Sequence, residues 1–557
     1  MVLTKLYDLK KIVFSIVPLS ILISNFSLII LAHNFYNLPW QESIGFELAV
    51  FYLFYIPGNL FLRFMKFEKI FDHGSHIISL ATGTVVIPIL YFAMRKIASP
   101  DLILQIFFVI CGLYWSLDRG RNFLTRGSLQ NVCFSEHIAL AVLISLVIYL
   151  LHLSHFTDIV LLADGFKIRT HYMTETIFHQ GIINALRDAW PPQNLYASGR
   201  PDMQSYHLNL HLQFEMINRF FHINTLYLTY FYMPFMYFSL LVSSAYVFVR
   251  QIGGNILLAL LASILIFGSD FSFIPALTLE SVNPQTPWTL YFSSTIWGMF
   301  TLNGVLPAFI ALFLYLIFLY KFFVSRNHLL LLPLILVSYG AFGFKSSMGV
   351  QLAAVSLFIG LLMTTQEKDR SNGLYFIAAS IASLTFMVID LIWFRTGLGG
   401  SHVSLDVFNK LYASLKLIGI PELSKSLYPI FLILFLIASL GVRTIGLMLV
   451  HKFYLPNKNF NWFIIYLFFF VLGGYVLSEM MFLGSAGGHN NAGMFFAQSL
   501  MAAWFLLFVV LVNLATSIKH KQIVIGVCIL LAMPTTVQFL NLRNDSNYIR
   551  FGADEIT

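Results

Sequence analysis

Acidic and histidine side chains are concentrated in one segment of this chain, from Ser154 to Arg219. Five of the sixteen histidines lie in that segment, and a sixth lies three residues beyond it. Histidine binds metal ions and forms hydrogen bonds to the phosphate and hydroxyl groups of substrates. The sequence therefore indicates that polar chemistry is gathered here. The six are His155, His171, His179, His207, His211 and His222.

The first half of this segment has the pattern of an amphipathic helix. His171, Glu175 and His179 follow one another at intervals of four residues, and isoleucines and a leucine between 177 and 186 provide an apolar stripe. Such a helix lies at a membrane surface and holds its acid at the lipid boundary. The alternative is that the three polar residues are only the water-exposed face of this helix.

The second half of the segment contains two turns and another helix. The Trp-Pro-Pro sequence at 190–192 ends the first helix, because proline lacks a backbone N–H and disfavours helical conformation in the residue before it. A second turn follows at 199–202. A helix is predicted from Tyr206, with His207 and His211 on one face. Such a pair can bind zinc, but without an HExxH motif or a cysteine partner, hydrogen bonding to phosphate or sugar hydroxyls is the commoner role.

The elements that must position these residues are membrane helices. The 557 residues are 58% apolar and 10% charged, whereas soluble proteins carry about 25% charged residues. Long apolar runs without alternation predict helices, because every backbone polar group inside a bilayer must be paired within the protein. We predict an all-α polytopic transmembrane helical bundle of about 15 spans. The predicted spans are 12–33, 44–62, 77–94, 102–117, 135–154, 226–249, 254–275, 300–320, 328–344, 347–365, 373–394, 427–448, 460–483, 492–516 and 522–540.

The distribution of basic residues predicts the orientation. With the N-terminus cytoplasmic, more than half of the 33 lysines and arginines fall in the inner loops, although these are the shorter set. This predicts an integral plasma (inner) membrane protein whose C-terminus lies outside. Residues 155–225, 276–299 and 395–426 then form outer loops. The formal charge of +8 follows from this topology, so nucleic acid is not an expected partner.

The order of motifs in the first outer loop resembles that of the GT-C superfamily of membrane glycosyltransferases, which includes protein O-mannosyltransferases and aminoarabinose transferases. The motifs are Glu175-Thr-Ile-Phe-His179, Trp190-Pro191-Pro192, Gly199 and Tyr206-His207. The resemblance covers roughly 135–365. It departs from the family in having a lone Glu175, preceded by Asp164, where an Asp or an acidic pair is usual. About four additional spans also come first. The predicted blocks are 1–134 with four spans, a GT-C-like core at 135–394, and 395–557.

The resemblance implies a sugar transfer on the non-cytoplasmic face. The donor would be a polyprenyl-phosphate-type sugar, and the acceptor a glycan, a lipid or a protein. In a direct displacement, a carboxylate takes the proton of the acceptor hydroxyl as it attacks the anomeric carbon. Glu175 is the first candidate for this base, Asp164 the second and Asp202 the third.

The leaving phosphate needs a fixed cation, and Lys345 is the candidate. It lies in a short break between the ninth and tenth spans, at the predicted outer headgroup level. Its alternative role is to snorkel to lipid phosphates. The mechanism requires a carboxylate of the loop and Lys345 to face one crevice. Arg395 is a second cation. A divalent metal is left open, since carboxylates and histidines serve with or without one. The remaining predicted binding residues are His179, Tyr206, His207, His211 and Gln285.

Two other functions are compatible with many spans. A lipid or polysaccharide transporter (flippase) places its charges along a pathway at mid-depth in the membrane, whereas here six of the sixteen histidines and six of the 25 acids belong to one outer loop, 155–225. A surface-polysaccharide polymerase or ligase also has a large outer loop, but usually late in the chain. The early loop favours the transferase.

Overall fold

The computed structural model describes most of the apolar segments of the chain and parts of the segments between them. The described residues are 19–67, 70–71, 73–95, 97–125, 134–153, 159–162, 165–169, 173–188, 208–266, 304–394, 403–405, 425–450, 461–483, 492–514, 524, 526–528, 530–532 and 548–552.

Helices dominate these residues, and their bounds follow the hydropathy of the sequence. The helices are α1 (Leu19–Tyr36), α2 (Trp40–Phe64), α3 (Ser75–Met94), α4 (Pro100–Thr125), α5 (Phe134–Leu153), α6 (Met173–Asp188), α7 (Asn209–Phe221), α8 (Thr225–Gln251), α9 (Ile256–Leu265), α10 (Val305–Ser325), α11 (His328–Phe344), α12 (Ser346–Thr364), α13 (Arg370–Ile389), α14 (Tyr428–Leu449), α15 (Asn461–Met480) and α16 (Gly493–Leu514).

The predicted helical, polytopic membrane protein is confirmed. In the described part of the chain, ten helices are long and apolar enough to cross a membrane. The agreement extends to the bounds: a span predicted at 77–94 is the helix Ser75–Met94, and one predicted at 347–365 is Ser346–Thr364. Apolar runs of this length leave the backbone no other way to satisfy its hydrogen bonds in lipid.

Two small antiparallel sheets were not predicted. Strands β1 (Ile159–Leu162) and β2 (Gly165–Arg169) form a hairpin, and β5 (Tyr548–Gly552) pairs with β2 in the register Phe166 to Phe551. Strands β3 (Val403–Leu405) and β4 (Met481–Leu483) form the second sheet. Runs of three to five residues are too short for their periodicity to distinguish a strand from a loop.

The chain forms two compact units. The first contains α1 to α7, α8 as far as Val247, and the sheet β1-β2-β5. The second contains the end of α8, α9 to α16, and the sheet β3-β4. The predicted division into 1–134, 135–394 and 395–557 stays a prediction.

Glycines allow helices of the first unit to pack at close distance. A Cβ atom on Gly58 of α2 would overlap the carbonyl oxygen of Ser79, and one on Gly83 of α3 would overlap that of Phe54. Small residues at helix crossings are the usual means of association in membranes, where apolar side chains gain little by leaving lipid. The crossing of α2 and α3 fixes the position of α3, which carries part of the polar cluster described next.

Candidate functional site: a buried polar cluster around α6 and α7

The histidine of α6 lies inside the protein. His179 is 3% exposed, and Ile182, Ile183 and Leu186 are buried on the same side of the helix, since positions three, four and seven residues apart share a face. The alternative that His179 belongs to a water-exposed face is therefore wrong. The polar residue and the apolar stripe form one packed face, which lies against α7.

His179 and His211 form a buried pair. The Nδ1 atom of His179 lies 2.9 Å from Nε2 of His211, and the ring of His211 is fully buried. Their rings are stacked, with centroids 5.1 Å apart. Only one hydrogen fits between the two nitrogens, so one ring donates and the other accepts. Both residues were predicted to bind substrate, and the structure brings them into direct contact.

Helix α7 is a polar helix enclosed by the first unit. All residues from Asn209 to Ile217 are buried, including His211, Gln213 and Glu215. Its sequence alternates polar and apolar residues, which distributes the polar groups around the helix axis. An isolated helix of this kind would be soluble, so its burial requires partners for each polar side chain. Gln213 and Glu215 were not among the predicted site residues, although the density of polar residues before a membrane span could have indicated them.

Gln213 supplies a hydrogen-bond donor that the membrane helix α3 lacks. Pro88 lies inside α3 and has no N–H, so the Thr84 carbonyl lacks its usual donor four residues later. The Gln213 side-chain amide donates a hydrogen bond to this carbonyl, and the Tyr237 hydroxyl donates to the Gln213 amide oxygen. Thr84 is near the middle of α3. Helix α7 therefore packs beside the middle of a membrane span and does not lie only at its end.

This arrangement predicts that Pro88 and Gln213 are energetically coupled. Gln213→Leu leaves a buried carbonyl without a donor and is expected to lower the free energy of unfolding by about 1–3 kcal/mol. In a Pro88→Ala background, the restored N–H serves Thr84, so the same substitution should cost roughly 1 kcal/mol less. A double-mutant cycle on the purified protein in detergent measures this difference. Strictly additive effects would contradict the assignment.

Glu215 is the centre of a charged cluster. Its Oε2 atom accepts a hydrogen bond of 2.7 Å from the Tyr91 hydroxyl and lies 3.8 Å from Nη1 of Arg95. Its Oε1 atom accepts a hydrogen bond of 2.6 Å from Nε of Arg219. Arg219 also pairs with Asp101 at 3.1 Å. The Glu215 side chain is fully buried, whereas that of Asp101 is 62% exposed, so Glu215 is the main counter-charge inside the protein.

The two arginines of this cluster cap the C-terminal end of α6. Arg95 donates a hydrogen bond to the carbonyl of Leu186, and Arg219 donates one of 2.6 Å to the carbonyl of Arg187. The last carbonyls of a helix lack partners within the helix, and its C-terminus carries partial negative charge, so two cations there stabilise it. The charged cluster thus fixes α6 against α3 and α7.

The pKa values of the two arginines reflect the balance between burial and pairing. Burial lowers the pKa of the Arg95 guanidinium, and the charge of Glu215 opposes this effect only in part. For Arg219, burial acts in the same direction, but its hydrogen bond to Glu215 and the charges of Glu215 and Asp101 raise the pKa overall. Arg219 is therefore the cation most firmly stabilised by the cluster.

Lys345 lies in the second unit, at the predicted break. Helix α11 ends at Phe344 and α12 begins at Ser346, and Lys345 between them has an extended backbone, with φ of −150° and ψ of 112°. Its side chain is half-buried. Glu175 and Asp164 belong to the first unit, and the predicted crevice between these acids and Lys345 stays a prediction.

Most other predicted site residues lie outside the described residues. Glu175 belongs to α6, one turn before His179, but only its backbone is described. Asp164 falls between β1 and β2 in the sequence, at a position that is not described. The remaining predicted residues outside the described part are Asp202, Tyr206, His207, Gln285 and Arg395.

Among the described residues, no three side chains of His, Cys, Asp or Glu come close enough together to hold a metal ion. The His179–His211 pair thus offers two nitrogen atoms and no described third ligand. Comparison with known proteins adds no relative: no protein-family model matches the chain, and no curated protein matches it.

Proposed function

We propose that this protein is a membrane glycosyltransferase that transfers a sugar from a polyprenyl-phosphate-type donor to an acceptor on the non-cytoplasmic face. The observation that carries the proposal is the rigid attachment of α6, the helix of Glu175 and His179, through its arginine caps and the His179–His211 contact. A general base must be held within hydrogen-bond reach of the reacting hydroxyl. A helix fixed at its end and along one face meets that requirement.

The proposed topology has about 15 spans in a GT-C-like fold, with the cluster near the outer surface. Tyr91, Arg95 and Asp101 lie where α3 ends and α4 begins, and the inside-to-outside direction of α3 in this topology places them outside. The pairing of β5 with β2 supports a C-terminus on the same side as the loop after α5. This pairing agrees with an outer C-terminus, and the proposal includes a cytoplasmic N-terminus and the plasma membrane.

In the proposed reaction, the oxygen of the acceptor hydroxyl attacks the anomeric carbon, and Glu175 accepts the proton of that hydroxyl. The bond between that carbon and the lipid phosphate breaks, and the phosphate leaves with the electron pair. Lys345 stabilises the charge that develops on the leaving phosphate. Asp164 and Asp202 are the other candidate bases. His179 and His211 hold α6, and with it Glu175, against α7.

The test is a transfer assay with the full-length protein in liposomes. Polyprenyl phosphates carrying tritiated glucose, mannose or aminoarabinose are supplied with a membrane extract as the source of acceptors. We expect radiolabel in an acceptor fraction and an equal amount of free polyprenyl phosphate. A transporter would instead move the intact lipid to the opposite leaflet, where the sugar becomes accessible to periodate. Movement without cleavage of the sugar–phosphate bond would reject the transferase in favour of the flippase.

A further inference from the structure

Two carboxylates of the second unit are buried inside membrane helices. Asp390, at the end of α13, is 1% exposed, and Glu479, in the last turn of α15, is 3% exposed. The backbone from Asp390 to Phe394 forms a π-helix, a feature that often occurs at functional sites. Ionisable groups within membrane spans are costly and are found where a pathway or a ligand uses them. Neither residue has a role in the reaction described above.

The packing of α11 against α13 places Asp390 at the level of Lys345. Ser338 donates a hydrogen bond of 2.9 Å to Ser383, and these two residues are 45 positions apart. Phe342 and Met387, which have the same separation, belong to one buried apolar cluster. The two helices therefore run parallel in constant register. Continuing that register by three residues brings Lys345 to Asp390.

The packing of α12 against α15 places Glu479 near the same level. The Gln351 side chain donates to the carbonyl of Phe470, and a Cβ atom on Gly474 would overlap the Gln351 amide. From Gly474 to Glu479 the helix rises about 8 Å, and from Gln351 back to Lys345 about 9 Å. Gln351 contacts Phe470, whereas the next residue, Leu352, accepts a hydrogen bond from Tyr466. The two helices are therefore antiparallel, and both distances run in the same direction.

At this end of the second unit, two buried polar atoms have no hydrogen-bond partner among the described residues. Gln498, which is 2% exposed, donates a hydrogen bond of 2.6 Å to Ser347 but has no partner for its amide oxygen within the described part of the chain. The hydroxyl of Ser478, which is 1% exposed, likewise has none there. Buried polar groups are nearly always hydrogen-bonded, so each of these two atoms is expected to have a partner that the described residues do not supply, such as a ligand or an ordered water.

We propose that Lys345, Asp390, Glu479 and Gln498 bind the phosphosugar end of the lipid-linked donor. Carboxylates and an amide oxygen are hydrogen-bond acceptors, which suit a ligand with several hydroxyl donors. Two carboxylates repel a bare phosphate, and the lysine repels a simple cation. A ligand with one anionic group and many hydroxyls fits both kinds of side chain. Lys345 contacts the phosphate, and the three acceptors contact the sugar. This assignment rests on the proposed function and deepens it.

The test compares the binding of two lipids to the full-length protein in nanodiscs. The probes are polyprenyl phosphate and the same lipid carrying glucose, mannose or aminoarabinose. Asp390→Asn and Glu479→Gln are each expected to weaken binding of the preferred sugar-bearing lipid about tenfold, the effect of one lost charge-assisted hydrogen bond. Binding of bare polyprenyl phosphate should not weaken in either variant, since each removes a carboxylate that repels the phosphate. Lys345→Ala should weaken binding of both lipids. Glu367→Gln, at an exposed acid beyond the other end of α12, is the control.

Two outcomes would overturn the sugar site, and a third would separate it from the proposed function. Equal weakening of both lipids by Asp390→Asn and Glu479→Gln, or no weakening, overturns the sugar site. A wild-type protein that binds no sugar-bearing lipid more tightly than polyprenyl phosphate also overturns it. Preferential binding lost in both variants, together with no transfer in the liposome assay, supports the site and rejects the transferase. Glu479→Asp, which keeps the charge, controls for misfolding, because it should retain part of the sugar preference.

Discussion

Replacement of Glu175 by glutamine is expected to lower the rate of sugar transfer by about 100- to 10,000-fold, the usual contribution of a general base. The amide keeps the size of the side chain but cannot accept the proton of the attacking hydroxyl. Arg95 and Arg219 cap the end of α6, so the substitution should leave the position of this helix unchanged. A loss of activity would then report on the carboxylate itself. Donor binding should therefore be nearly unchanged while turnover is lost.

A matched control is available on the same helix. Asn184 is exposed, and Asn184→Ala should transfer sugar at the wild-type rate. Unfolding midpoints of both variants, followed by tryptophan fluorescence in detergent, establish that the proteins are folded. Wild-type transfer by Glu175→Gln would remove Glu175 from the catalytic role, and Asp164→Asn and Asp202→Asn would then be tested in that order.

Replacement of Glu215 by glutamine is expected to lower the free energy of unfolding by about 3–5 kcal/mol, the cost of removing one partner from a buried charge pair. Arg95 would then lose its counter-charge in a site where its own side chain is 3% exposed. Among the described acids, Arg219 would keep Asp101, which is exposed, as its counter-charge. The loss should appear as a large decrease in the unfolding midpoint of the purified protein in detergent.

The cluster also supplies its own controls. Asp101→Asn removes the exposed carboxylate and is expected to cost at most about 1 kcal/mol, as for other solvent-screened pairs. Combining Glu215→Gln with Arg95→Met removes both a positive and a negative charge, and should recover part of the stability that the single substitution loses. If Glu215→Gln and Asp101→Asn destabilise the protein equally, Glu215 is not the central counter-charge.

The membrane helices could be predicted from the sequence because hydropathy is a local property. The transfer of a residue into lipid depends on its own side chain, and a run of such residues reports a span regardless of its neighbours in space. This is why α3 and α12 were located within two residues. The break at Lys345 was visible for the same reason, since a charged residue between two short apolar runs interrupts them. Strands β1 and β2 are too short to show a clear periodicity, so the sequence held no such signal for them.

The polar cluster could be predicted only in part. The concentration of histidines around His179 and His211 pointed to the correct segment, but their direct contact joins residues 32 positions apart. Tyr91 and Glu215 are 124 positions apart, and no spacing in the sequence connects them. The enclosure of α7 was missed because its polar residues indicated exposure to water.

The sequence by itself thus determined that the chain is a helical membrane protein, approximately where its helices begin and end, and which segment holds polar chemistry. Only the tertiary structure decided that Glu215 pairs with both Arg95 and Arg219, that Gln213 replaces the donor missing at Pro88, and that α6 is fixed in place. The physical reason is that the free energy of a buried polar group depends on its partners. Those partners come from helices distant in the sequence, and they meet only when the helices pack.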